Sequence, residues 1–185
     1  MGSKLMYKLM VLIFKIQDFF STPGDILLSF HTKNGDTVVD YGCGPGRYVQ
    51  RASGLVGDTG KVIAADISEV AIDNVMKRIQ KHGLKNVFPV LLDKSKSRIP
   101  ENFADVIYAL DMFHQVNDPA DFLSDIHKII KKSGYLYLED GHQPRIATIK
   151  KVKLSGMWQI DEEYKEFLRL KPLEISLNGD ESNGR

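Results

Sequence analysis

The chain has 185 residues, 43% hydrophobic and 26% charged, with a net charge of +1. This fits a single soluble globular domain and gives no electrostatic pull toward nucleic acid or another polyanion. Cys43 is the only cysteine, which excludes an intrachain disulfide and a cysteine-cluster metal site and points to a reducing, cytoplasmic setting.

Residues 5–20 read as a helix. Lys4, Lys8, Lys15 and Asp18 share one narrow face, and nearly every other position is apolar, so the helix needs a cover. Three roles stay open for residues 1–24: a helix packed on the domain, a lid over an apolar acceptor pocket, or weak in-plane contact with a membrane surface. The longest apolar run, residues 9–14, is too short to span a bilayer, and no small-residue cleavage site follows it, so neither a span nor a signal peptide is expected. Residues 21–25 break the helix. Thr22 is a candidate cap for a second short helix over 24–30, with Pro23 at its start.

A turn at 34–36 leads into a first strand over 37–41, apolar on both faces as a central parallel strand is. A crossover helix is expected over 46–55 and a second strand over 61–66. Ser68 caps a helix over 69–82 that Gly83 closes. A third strand covers 87–92, where Pro89 argues for an edge position. A polar loop over 93–102 precedes a fourth strand at 105–110. Asp118-Pro119 opens a helix over 119–132, ended by Ser133-Gly134, and a fifth strand follows at 135–139. A helix over 144–154 precedes two short strands, 157–160 and 167–170, able to pair as a hairpin. Residues 178–185 have the composition of a disordered tail.

Strands alternating with helices at this spacing predict a doubly wound α/β sheet with right-handed crossovers. Ligands bind such sheets at the carboxyl ends of the strands. The richest of these ends is Asp40-Tyr41-Gly42-Cys43-Gly44-Pro45-Gly46. A dinucleotide fingerprint from Gly42 would need glycine at position 47, which is Arg47. Asp40 would also repel a pyrophosphate, whereas it attracts an ammonium. Asp66, at the end of the second strand, can accept two hydrogen bonds from a ribose. The site asks for an unphosphorylated ribonucleoside bearing an amine, and S-adenosyl-L-methionine meets that description.

The runs V-V-D-Y-G-C-G-P-G and K-V-I-A-A-D-I-S resemble the first two motifs of class I S-adenosylmethionine-dependent methyltransferases. Within them the chain is similar to the small-molecule branch that includes quinone-biosynthesis enzymes. The resemblance covers residues 25–173, with 174–185 as a tail, and implies a mostly parallel seven-stranded sheet with a reversed last strand. It also implies cofactor contacts. Gly42, Cys43, Gly44, Pro45 and Gly46 border the methionine part, with Asp40 near its amino group. Asp66 holds the ribose, with Ile67 beside it. Asp93 meets the adenine amine, and the backbone of Leu110 and Asp111 completes the set.

Methyl transfer from a sulfonium has a neutral leaving group, so only the acceptor's proton calls for a side chain. His114 and His142 lie on the ligand rim and are the candidate bases, with Tyr48 and Asp111 as further rim residues; His31, His82 and His127 lie elsewhere. Cys43 is a small buried filler rather than a thiol nucleophile. Asp111 and Asp140 imitate two metal ligands, but the sequence offers no clear third, so no metal is expected. After the fourth strand stands Leu110-Asp111-Met112-Phe113-His114 in place of the Asn/Asp-Pro-Pro-aromatic run of nucleic-acid amino methyltransferases. The expected acceptor is therefore a small molecule and no nucleic acid. Met112, Phe113 and the apolar first helix favour an apolar or aromatic one. The alternative is a cofactor-binding subunit or sensor without transfer activity. Oligomeric state is left open.

Overall fold

The computed structural model describes residues 25–93 and 98–174. The expected helix over 5–20, the Thr22 cap, the middle of the 93–102 loop and the tail over 178–185 lie outside the described residues. The described chain forms seven strands: β1 (Thr37–Tyr41), β2 (Lys61–Asp66), β3 (Val87–Leu91), β4 (Ala104–Ala109), β5 (Ile130–Glu139), β6 (Trp158–Glu163) and β7 (Phe167–Pro172). Four α-helices accompany them: α1 (Val49–Val56), α2 (Glu69–His82), α3 (Pro119–Ile129) and α4 (Arg145–Ser155). The strands build one sheet in the order β3-β2-β1-β4-β5-β7-β6. Pairing is parallel from β3 through β5, and β7 runs antiparallel to both β5 and β6. The mostly parallel sheet, its reversed last strand and the edge position of Pro89 are thus as the sequence predicts.

Two apolar layers hold the sheet. On one face, Val49, Ala52 and Val56 of α1 and Val75 of α2 pack on Val38, Val62, Ala64, Val106 and Tyr108. On the other, Leu123, Ile126 and Ile129 of α3 and Val152 of α4 pack on Val39, Ile107, Leu136 and Leu138. The alternation along β1 sends Val38 one way and Val39 the other, so both faces of the central strands are dry. Helix ends follow their sequence signals. The Ser68 hydroxyl accepts from the Ala71 N–H, Gly83 caps α2 in the left-handed conformation, and Asp118 Oδ1 accepts from the Ala120 and Asp121 N–H groups.

Three elements depart from expectation. The segment over 24–30 is a tighter 3-10 turn, Asp25–Ser29, which buries Leu27, and Phe30 beyond it stacks on Tyr137 at 4.0 Å. α1 begins at Val49, not at 46, because Gly46 has φ +75° and cannot continue a right-handed helix. α3 stops at Ile129, and Ser133-Gly134 does not end it. The carbonyls of Lys128 and Ile129 are taken by the Asn102 and Phe103 N–H groups, both at 2.8 Å, and the chain turns extended at Ile130. Gly134 lies inside β5, where a Cβ would come within 2.8 Å of the Asp105 carbonyl across an irregular β4–β5 register.

Candidate active site

The carboxyl ends of β1, β2, β4 and β5 converge on one rim. The loop after β1 is sewn to β2: the Gly42 and Cys43 N–H groups both donate to the Ala65 carbonyl, at 2.8 and 3.0 Å. Gly42, Gly44 and Gly46 take φ of +83°, +51° and +75°, a run of left-handed backbone that only glycine adopts without strain. Their surroundings differ. A Cβ on Gly42 would meet the Met112 side chain at 3.1 Å, and one on Gly46 would meet Val75 Cγ2 at 3.0 Å, whereas a Cβ on Gly44 would meet open space. Gly46 therefore serves the seating of α2, and Gly44 leaves the rim clear. Arg78 of α2 clamps the loop by donating to the Pro45 carbonyl at 2.9 Å.

Asp66 is oriented by the same loop. Its Oδ2 accepts from the Gly44 N–H at 2.9 Å and its Oδ1 from the Ser68 N–H at 2.8 Å. Each carboxylate oxygen can accept more than one hydrogen bond, so capacity remains for a ligand's hydroxyls. Asp40 is the unusual member. It is 2% exposed, and its Oδ2 has no hydrogen-bond partner. Burial raises its carboxyl to about 8; the nearby Tyr108 hydroxyl works against the rise, and the Asp66 charge adds to it. Tyr108 stands beside Asp40 in the β1–β4 register, and its own buried hydroxyl lacks a hydrogen-bond partner. A buried, unpartnered carboxylate is costly unless a cation reaches it. Cys43 is buried, and burial followed by the charge of Asp40 pushes its thiol far above the ordinary range, as a non-reactive filler requires.

Beyond β2, the exposed Ile67 and Asp93 join Leu91, Leu92 and Arg98 around a depression of about 300 Å³. Beyond β4, Leu110 is buried, and Asp111 takes φ +53° with its N–H donating to Glu139 Oε2 at 2.7 Å. Burial is the main influence raising the Glu139 carboxyl. Met112 leans on Gly42, but Phe113 is fully buried against Phe122 and belongs to the core rather than to an acceptor wall. His114 and His142 meet with ring centroids 4.9 Å apart at 81°, and His142 Nε2 lies 3.8 Å from Asp111 Oδ1. Asp140 Oδ2 accepts from Arg145 Nε at 2.7 Å, and its Oδ1 is buried without a hydrogen-bond partner. Tyr48 is half-buried beside Tyr108, its hydroxyl raised to about 12 chiefly by burial.

His31 and His127 are occupied elsewhere, on the Tyr137 hydroxyl and the Leu173 carbonyl. A larger depression, about 410 Å³, is lined by His127, Lys128 and Lys132 at the opposite end of the strands and contains none of the loop residues. Sequence reasoning missed Tyr108 and Glu139. A tyrosine amid apolar residues in a buried strand was the available signal for the first, and an acidic pair closing β5 for the second.

A family model described as a methyltransferase domain matches residues 32–174. The ubiquinone/menaquinone biosynthesis C-methyltransferase UbiE of Coxiella burnetii is 29% identical over 121 residues, covering 65% of this chain and 48% of its own length. The chain thus spans about half the length of the curated relatives it matches. Among solved structures, a SAM-dependent methyltransferase from Aquifex aeolicus is 26% identical with a TM-score of 0.69, over 79% of this chain and 85% of its own. Coclaurine N-methyltransferase, solved with N-methylheliamine and SAH, is 25% identical with a TM-score of 0.52, over 58% of this chain and 31% of its own. With its seven-stranded sheet, its glycine loop and a family match across three quarters of its length, the chain belongs to the methyltransferase domain family, in its class I, Rossmann-like form.

Proposed function

We propose that the protein transfers a methyl group from S-adenosyl-L-methionine to a small, apolar or aromatic acceptor. The observation that carries this reading is Asp40, a buried carboxylate with an unpartnered oxygen beneath a three-glycine loop. It suits an ammonium and opposes a pyrophosphate. When bound, the cofactor supplies an electrophilic methyl on a sulfonium whose leaving group is neutral. Asp40 takes the amino group, Gly42 to Gly46 let the methionine part approach the backbone, and Asp66, held by Gly44 and Ser68, takes the ribose hydroxyls. Ile67 and Asp93 flank the base, and the backbone of Leu110 and Asp111 closes the far side. On the acceptor side stand Met112, His114 and His142, and an imidazole there takes up a proton that the acceptor releases.

Nucleic acid is not the acceptor in this reading, since the net charge of +1 gives no overall pull toward a polyanion and the run after β4 is Leu110-Asp111-Met112-Phe113-His114. One buried cysteine suits a cytoplasmic setting. Among the described residues, no helix is long and apolar enough to cross a membrane. The test is turnover: methyl-labelled S-adenosylmethionine is incubated with the full chain and a panel of quinols, phenols and aromatic amines. Label should move to a small apolar acceptor and not to RNA or DNA. Transfer to nucleic acid alone would refute the proposal.

A further inference from the structure

The rim gathers three potential metal ligands that lie far apart in the sequence. Asp111 follows β4, His114 sits on the short turn Phe113–Gln115, and His142 follows β5. One ligand atom from each lies within 4.8 Å of the other two. We propose that Asp111, His114 and His142 form a binding site for a divalent transition-metal ion. It rests on the functional reading above only in facing the acceptor side.

The three groups are close without satisfying one another. His142 Nε2 and Asp111 Oδ1 are 3.8 Å apart, beyond hydrogen-bond reach. His114 Nδ1 is closed to solvent and has no hydrogen-bond partner, while its Nε2 lies 3.1 Å from the Gln115 amide nitrogen, a weak contact that an ion could replace. Ligand atoms around an ion bound at about 2.0–2.2 Å stand roughly 3–3.5 Å from each other, so closure asks for a shift of about 1 Å. His142 can supply it, because its side chain is 83% exposed. The other two ligands are held from behind. The Asp111 backbone is fixed in its left-handed conformation by Glu139. His114 packs against Gly141, where a Cβ would overlap its ring. The competing carboxylate, Asp140, is neutralised by Arg145.

Two imidazoles and one carboxylate suit Zn²⁺, Co²⁺, Fe²⁺ or Mn²⁺, whereas Mg²⁺ and Ca²⁺ prefer all-oxygen sites. Three protein ligands leave positions open for water or an acceptor oxygen, as at metal centres that bind substrates. With an ion bound, these nitrogens coordinate it; in the metal-free protein an imidazole is open to take up the proton that the acceptor releases.

The test is a titration of the tag-free full chain with Co²⁺, followed by visible absorption, and with Zn²⁺, followed by calorimetry. S-adenosylhomocysteine is titrated in parallel. Wild type should bind one equivalent of either ion and develop cobalt ligand-field bands. His142→Ala, changed at an exposed position, should keep its melting temperature. It should lose affinity by at least the roughly tenfold to hundredfold that removal of a mere outer partner costs a metal site. Asp111→Asn should weaken binding in the same direction. No saturable binding by wild type, or equal binding by His142→Ala, overturns the proposal. S-adenosylhomocysteine binding without ion binding removes this site alone; ion binding without S-adenosylhomocysteine removes the functional reading alone.

Discussion

Asp40 and Tyr108 occupy paired positions on the adjacent parallel strands β1 and β4, both buried and each with a polar oxygen lacking a hydrogen-bond partner. A pair so placed lowers the stability of the empty protein and rewards a ligand that brings a positive charge. The ionisation of the β1 carboxylate sets the pH dependence of ligand binding.

Ammonium binding needs Asp40 ionised, yet its carboxyl in the free protein sits near 8. The dissociation constant for S-adenosylhomocysteine should therefore fall about tenfold per pH unit between pH 6 and 7.5. Asp40→Asn should bind weakly and lose that slope. The same shift acts on stability. A carboxyl raised above its unfolded value binds more protons when folded, so its stabilising share is full below about pH 4 and is lost as pH rises through about 8. The melting-temperature gain from S-adenosylhomocysteine should be larger at pH 8 than at pH 6.

Asp66 already accepts from two backbone N–H groups. Asp66→Ala removes both anchors and, with them, the acceptor that the proposed function assigns to the ribose. Hydrogen bonds to a charged group contribute about 1.5–3 kcal/mol each, so affinity for S-adenosylhomocysteine should drop at least about a hundredfold. Calorimetric affinity equal to wild type would displace the ribose from Asp66.

The glycines of the loop should separate by role. Gly46→Ala forces a left-handed alanine against Val75 and should lower stability by about 2 kcal/mol or more. Gly44→Ala has open space around it, so its stability cost stays near the backbone term of about 1 kcal/mol. Its methyl projects into the clear rim and should weaken S-adenosylhomocysteine binding more than it weakens the fold. Urea melts and titrations of the two variants read the difference.

Much of this was legible in the sequence, for reasons that differ by element. β2 and α2 end where the sequence indicates, because Asp66, Ser68 and Gly83 act on their own backbone neighbours. The junction of α3 and β5 was misread. Its stop is imposed by residues 102 and 103 across space, and Gly134, which looks like a helix terminator, is a close-approach glycine inside a strand. Phe113 was placed on the acceptor rim on its type alone, and tertiary packing took it into the core. That the glycine loop, Asp40 and Asp66 come together was legible because their spacing is local. The meeting of Asp111, His114 and His142 was not, since it depends on how β4 and β5 align.

That alignment makes Gly134 a test of packing separate from the site. Gly134→Ala should lower stability by about 1–3 kcal/mol through overlap with the Asp105 carbonyl. S-adenosylhomocysteine affinity, measured well below the melting temperature, should stay within a few-fold of wild type.

A paired calorimetric titration of the full chain at pH 8 with S-adenosylhomocysteine and with NAD distinguishes an ammonium-binding loop from a pyrophosphate-binding one. A buried Asp40 behind a loop lacking glycine at position 47 predicts saturable binding of one S-adenosylhomocysteine and no heat from NAD. Binding of NAD, or no binding of S-adenosylhomocysteine, would contradict it.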